Sequence, residues 1–305
     1  MPRAYVIGAL IPRGGTFMAY HIGLILAQEF GYEVMNVQIR EQPLPPQFKY
    51  ELIPPTINIG QMEQSITDDD VLVVNPSFSH FMFGLRLPGR KICYVQGFTF
   101  RTLDCYFDLY VSASTIVRKF LFSVYDIETP IIPPFIQFNE LPQVKPWRER
   151  PQSVLMYIKA GEENQAAAAY LQREIRARLP HIKLGVLKDN GLPYAEFLRR
   201  IGGARYLINV SLAEGFGLIP LEAMALGTCV TGLDGLAGQD YMHFGKNSMT
   251  CTGKDILRIP EILEQLLRDE TLAEKIATQG IADAQVYTLV AFRQAWISRL
   301  REFLK

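Results

Sequence analysis

The chain carries no net charge, few cysteines and no long apolar run, and each shortage removes a class of protein. Its 31 Lys and Arg residues balance 31 Asp and Glu, so it lacks the basic field that holds a nucleic-acid backbone. The one modest basic cluster is Arg86, Arg90 and Lys91. Cys93, Cys105, Cys229 and Cys251 show neither C-x-x-C spacing nor the density of a disulfide framework. Two of them fall in apparent strands as small core residues, and a reducing cytoplasm is the expected setting. No segment approaches the roughly 18 continuous apolar residues of a membrane span. The apolar stretch 4–11 is short and runs into Arg13, Gly14 and Gly15 rather than a cleavage site. Insertion in a bilayer is therefore not expected, while peripheral contact through one surface is compatible with the sequence.

What is present is a chain of 305 residues, 49% hydrophobic, enough for two packed domains. Strand and helix signals alternate. Apolar strands are expected at 4–9, 34–37, 71–75, 91–95 and 109–111, and Met18, Ile22, Ile25, Leu26 and Phe30 mark one helix face. Ser114 reads as the N-cap of a helix through Phe122. Prolines 43, 45, 46, 54 and 55 suggest an irregular surface loop. The polar stretch 141–151 reads as a linker. Beyond it, strands are expected at 153–157 and 183–187, with helices at 165–178, 259–278 and 289–304. Tyr194, Phe197, Leu198 and Ile201 give an apolar helix face. Such alternation implies parallel sheets covered on both faces by helices. The expected domains are 1–143 with a crossover helix at 288–305, and 144–287.

The densest chemistry lies at 214–222, Glu-Gly-Phe-Gly-Leu-Ile-Pro-Leu-Glu. The buried strand 206–210 precedes it, and Pro220 suits the first turn of the helix that follows. Glu214 then sits at the carboxyl end of a strand, where open α/β sheets bind ligands, and Glu222 is expected in the first helical turn. Between them the amides of Gly215 to Leu218 and the helix amino end make an anion site. Carboxylates that accept sugar hydroxyls beside amides that hold a diphosphate suit a nucleotide sugar. The plainer alternative is a glycine-rich βα turn with a Glu that complements the helix dipole.

Other candidates follow the same rule of strand ends. Gly14 and Gly15 follow the first strand and allow close approach of backbone to a ligand, or form a simple tight turn. His80 comes just after the strand at 71–75, at the ligand-binding end. His21 falls in the first helix as a packed or surface residue, and His181 and His243 read as surface. Lys188 follows the strand at 183–187, a spare cation or a solvated turn. Asp68, Asp69 and Asp70 precede a strand, the wrong end for a site, and read as a solvated turn; no metal is assigned there or elsewhere.

The run from Glu214 through Glu222 to Gly227, Thr228, Cys229 and Val230 closely resembles the donor-site signature of the retaining GT-B glycosyltransferases, glycosyltransferase family 4 and its relatives. The resemblance is strong over 204–248 and looser elsewhere. It implies two Rossmann-like domains facing across a cleft, with the helix around 291–300 crossing back to the first domain. It implies a metal-independent, retaining transferase that moves a sugar from a nucleoside diphosphate sugar to a carbohydrate, lipid-linked or other hydroxyl acceptor. Bacterial polysaccharide, glycolipid or glycoconjugate synthesis is the implied setting. Glu222 would bind the ribose hydroxyls and Glu214 the sugar hydroxyls, with Gly215, Phe216, Gly217 and Leu218 along the phosphates and sugar. Gly14 and Gly15 match the glycine loop of the first domain, with Arg13 a weaker contact. Gln96 stands where relatives place a His or Asp near the sugar, and can only hydrogen-bond. The second domain departs from the pattern where relatives carry a Gly-Arg and, five residues on, a Lys. Here Lys159 stands in as a point charge, and the later position falls near the neutral Asn164. Two alternatives are an epimerase of the same fold and a binding protein that has lost turnover.

Overall fold

The computed structural model describes residues 1–11, 14–39, 50–98, 100–188 and 192–305. Pro12, Arg13 and the prolines at 43, 45 and 46 lie outside the described residues. The chain divides into two compact units, Met1–Phe135 with Leu289–Lys305, and Ile136–Thr288.

The first unit contains β1 (Arg3–Ile7), α1 (Gly14–Phe30), β2 (Glu33–Gln38), β3 (Thr56–Asn58), α2 (Ile59–Ser65), β4 (Val71–Val74), α3 (Phe83–Arg86), β5 (Arg90–Val95), β6 (Leu109–Ser112) and α4 (Thr115–Tyr125). Its sheet is parallel throughout, in the order β3-β2-β1-β4-β5-β6. Every residue of β4 is buried, as expected for a strand covered on both faces. Strand β3 and helix α2 follow the prolines, over a stretch to which the sequence pattern assigns no element. Asn58 and Gln61 explain the helix: each side chain accepts from the other's backbone N–H at 2.9 Å, a capping box.

The second unit contains β7 (Val154–Ile158), α5 (Glu162–Arg178), β8 (Leu184–Lys188), α6 (Tyr194–Gly203), β9 (Tyr206–Val210), α7 (Leu218–Ala225), β10 (Cys229–Leu233), β11 (Met249–Cys251), α8 (Ile259–Arg268) and α9 (Glu270–Ala284). Its parallel order is β11-β10-β9-β7-β8. The single helix expected over 259–278 is two, because Asp269 leaves helical geometry and its carboxylate accepts from Leu272 N–H at 2.9 Å, capping α9. The stretch expected to be a linker is packed. Trp147 and Arg150 are 7% and 4% exposed. Arg150 donates to the carbonyls of Leu226 at 2.7 Å, Gly227 at 3.2 Å and Ala204 at 3.3 Å, closing the carboxyl ends of α6 and α7.

The last helix, α10 (Leu289–Phe303), belongs to the first unit and packs on α1. Trp296 is fully buried against Tyr94, ring centroids 5.4 Å apart and edge-on, and Arg293 pairs with Glu29 at 3.1 Å. The basic cluster noted in the sequence is consumed internally. Arg86 pairs with Glu63, Arg90 bonds the Phe303 carbonyl, and Lys91 is buried and bonds the Leu87 and Gly89 carbonyls. Among the described residues no helix is long and apolar enough to cross a membrane.

Asp70 is not solvated, contrary to the expected turn. It is 4% exposed and accepts from Arg3 N–H at 2.6 Å and from Thr67 N–H at 2.8 Å, tying β1 to the approach of β4. His21 is likewise core. It is 4% exposed between Phe17, Tyr20 and Phe135, and neither ring nitrogen has a partner among the described residues. Burial, and then the charge of Arg293, pushes His21 down to about 4 from its ordinary 6.5. The fold thus favours the neutral ring. Its contribution to stability is complete above about pH 6.5 and is lost as pH falls toward about 4, amounting to about 3 kcal/mol. Urea denaturation of the wild type and His21→Phe at pH 7 and pH 4.5 checks this. The variant is expected to lose less stability on acidification, and equal losses would contradict the assignment.

Candidate functional site

In the second unit the chain lays down β7, then β8 on one side and β9 on the other, so the carboxyl ends of β7 and β9 flank a switch point, where such sheets bind ligands. The register pairs Ile158 with Val210, and Lys159 N–H continues the ladder to the Val210 carbonyl at 3.1 Å. Lys159 and the turn carrying Glu214 therefore leave the sheet together. The Lys159 ammonium bonds the Glu214 carboxylate directly, with side chains 35% and 14% exposed. Glu214 is held from below as well. Its N–H donates to the Gly235 carbonyl at 2.8 Å, and a Cβ at Gly235, whose φ is +62°, would come within 2.9 Å of Glu214 Cγ. Leu236 beside it carries a φ of +68°, an unusual conformation for a branched residue.

Gly217, at φ +88°, is the N-cap of α7. Tyr241, buried to 3%, donates its hydroxyl to the Gly217 carbonyl and packs with Phe216 and Tyr287, ring centroids 5.3 and 6.0 Å away. Among the described residues no hydrogen bond uses the N–H of Gly215, Phe216, Gly217 or Leu218. This rigidly backed turn thus presents unused donors beside a helix amino end, able to hold an anion.

Because Gly217 caps the helix, α7 starts two residues before Pro220, and Glu222 lies in its second turn, not its first. Glu222 is 3% exposed. Tyr194, at the start of α6, donates its hydroxyl to Glu222 Oε1, while Oε2 has no partner among the described residues. Burial pushes the Glu222 carboxyl up to about 7, the Tyr194 hydrogen bond opposing it. Burial, then Glu222, holds the Tyr194 phenol well above its ordinary value. Sequence reading took Tyr194 as an apolar helix position and gave no role to Tyr241; their partners lie 28 and 24 residues away.

Asn164 is a latch. It is 2% exposed, accepts from Leu212 N–H at 2.9 Å and donates to the Ala160 carbonyl at 3.2 Å, joining the start of α5 to the turn after β9. Helix α5 begins at Glu162, three residues earlier than expected, behind Gly161 at φ +132°. Lys188 ends β8, paired in register with Ile158, and is exposed.

In the first unit the equivalent switch lies between β1 and β4. Gly14 and Gly15 open α1, and Gln96, just past β5, donates its amide to the Gly15 carbonyl at 2.8 Å. His80 is exposed in a short 3-10 turn after β4, its ring 4.2 Å from that of Phe81. Among the described residues no cluster of His, Cys, Asp and Glu has metal-binding geometry.

No protein family model matches the chain, and no curated protein sequence does. Solved structures do. Sucrose-phosphate synthase from Thermosynechococcus elongatus is 14% identical with a TM-score of 0.71, covering 99% of this chain and 99% of that one. HepE from Anabaena, solved with UDP-glucose, is 10% identical with a TM-score of 0.74, covering 99% and 100%. A glycosyltransferase from Rickettsia africae ESF-5 is 10% identical with a TM-score of 0.71, covering 99% and 98%. At this distance the likeness shows the fold: an α/β chain of two Rossmann-like domains, GT-B, shared with known glycosyltransferases.

The latch is open to test. Asn164→Ala removes the acceptor of the part-buried Leu212 N–H and empties the buried Asn164 position, which costs about 1–3 kcal/mol. Urea denaturation should show that loss, and an unchanged midpoint would contradict it.

Proposed function

We propose that this chain is a retaining, metal-independent glycosyltransferase that takes a sugar from a nucleoside diphosphate sugar to a hydroxyl acceptor. The turn between β9 and α7 carries the proposal, with amides from Gly215 to Leu218 that have no partner among the described residues and a carboxyl at either end. HepE, solved with UDP-glucose, supports a uridine nucleotide as the first donor to try.

In this account Glu222 accepts from the pentose hydroxyls and Glu214 from the transferred sugar, while the amides of Gly215, Phe216, Gly217 and Leu218 meet the diphosphate and sugar. Negative charge grows on the leaving diphosphate as the glycosidic bond breaks, so a fixed cation there lowers the barrier more than it tightens the ground state. Lys159 is that cation, shared with Glu214 before the donor arrives. Lys188 serves the nucleotide side. The resemblance assigns Gly14, Gly15 and Gln96 to donor contact, and its place after β4 suggests His80 for the chemistry; within the first unit Gln96 donates its amide to the Gly15 carbonyl. An intracellular place fits the four free thiols. A lipid-linked acceptor would bring the first unit near a membrane, where α4 exposes Phe122 and Val124 beside Arg118 and Lys119.

Incubation with UDP-, GDP- and TDP-sugars, with release of free nucleoside diphosphate followed with and without acceptors, tests the proposal. Acceptor-dependent release that survives a chelator is expected, with Lys159→Ala reducing turnover by roughly 10²-fold and Lys159→Arg retaining much of it. Isomerised sugar without transfer would indicate an epimerase, and binding without any release a non-catalytic module. Rescue of a chelated enzyme by Mn²⁺ or Mg²⁺ would overturn metal independence.

A further inference from the structure

Glu222 is an unusual place to leave an acceptor unused. Its Oε1 takes the Tyr194 hydroxyl, while Oε2 has neither a partner among the described residues nor access to solvent. An enclosed, unsatisfied carboxyl oxygen is costly, and the α6–α7 packing fixes both side chains within the second unit. Tyr194 stands at the first position of α6, so its ring is set by the helix start. Among the described residues Oε2 is the oxygen of Glu222 left for a ligand hydroxyl, and Tyr194 is the group bonded beside it.

We propose, resting on the donor-site reading above, that Tyr194 is a positioning residue for the nucleotide. Its hydroxyl holds the Glu222 carboxyl in one orientation, so that Oε2 is the oxygen that accepts a hydrogen bond from the pentose of an incoming nucleoside diphosphate. Binding is thereby linked to a proton. Hydroxyl donors favour the ionised carboxylate, which accepts at both oxygens, and the burial of Glu222 makes it share its population with the neutral acid near pH 7. A nucleotide that binds the ionised form releases a proton, and affinity falls as pH drops through about 7. Tyr194 favours the ionised form, so its loss moves that fall to higher pH. Among the described residues, the other ionisable groups facing the pair are Tyr241, whose phenol is raised first by burial and further by Glu214, Tyr287, Glu222 and Asp240, and Glu140, which acts on Tyr194. The buried Tyr241 phenol is held well above its ordinary value and stays neutral throughout.

Calorimetric titration with UDP from pH 5.5 to 9 tests the linkage. The terminal phosphate of UDP itself ionises near about pH 6, so Glu222→Gln, which cannot titrate, supplies the slope due to the ligand. Beyond that slope, wild-type affinity should fall up to about tenfold per pH unit below 7 and be flat above 8. Tyr194→Phe, which raises the carboxyl by about one pKa unit, should lose roughly fivefold at pH 7, approach about tenfold by pH 6, and recover toward wild type at pH 9. A purely structural role would lower affinity by one factor at every pH. That result, or a wild type that tracks Glu222→Gln throughout, overturns the proposal. Wild-type proton release at pH 7, read from titrations in buffers of different ionisation enthalpy, keeps the test decisive if Tyr194→Phe folds poorly. No release beyond that of Glu222→Gln overturns it. Failure of the wild type to bind UDP, GDP or TDP at all overturns the donor-site reading and this inference with it.

Discussion

Lys159 and Glu214 meet because β7 and β9 run side by side in parallel register, and the remainder of the candidate site is arranged around that pair. The ladder carries one residue past the strand, from Lys159 N–H to the Val210 carbonyl, which fixes where the ammonium leaves the sheet. Glu214 is fixed independently by Gly235, whose missing side chain makes room for its stem. Asn164 then ties the start of α5 to the turn after β9. Two charges of opposite sign, with side chains 35% and 14% exposed, are thus held in contact, and their cost of desolvation is partly offset by one another. On the proposed function, a diphosphate entering here would meet a cation already oriented, and the ammonium would turn from Glu214 toward the new negative charge.

Against that paired arrangement stands Glu222, a carboxyl buried with a phenol and one unused oxygen. Packing alone would replace such a group with an apolar one of similar size. In the second turn of α7, behind a turn whose Gly217 carbonyl is pinned by Tyr241, Glu222 would give the proposed site a strong acceptor shielded from water. The same helix start that leaves four amides without partners among the described residues sets the spacing of the two acids along the chain, so both halves of the candidate turn follow from the cap at Gly217.

The sheets were readable from the sequence because a strand covered on both faces leaves an unbroken apolar run, as at 71–74 and 206–210. Gly217, Pro220 and the two glutamates marked the candidate turn between β9 and α7. The fold's two-domain GT-B class followed from the alternation and the resemblance together. Where reading failed, local chemistry or distance explains it. The Asn58 and Gln61 capping box was in plain sight but lay just beyond prolines that suggested a loop. The helix break at Asp269 is a single cap inside an otherwise continuous apolar pattern. Tyr194 with Glu222, Tyr241 with Gly217 and Asn164 with Leu212 are separated by 28, 24 and 48 residues, and periodicity carries no information on pairings across elements. Asp70 and His21 were polar residues whose burial depends on neighbours from other strands and helices, which residue type alone does not reveal.

The central claim is that the amides between Glu214 and Glu222 hold the diphosphate of a nucleotide sugar. Amide hydrogen exchange, resolved to residues 215–218 and measured with and without saturating UDP-glucose, tests it most directly. These N–H groups have no partner in the free protein among the described residues and should exchange fast there, then slow by roughly tenfold or more when a phosphate oxygen accepts them. Saturating ligand that protects other segments while leaving these amides unchanged would contradict the account.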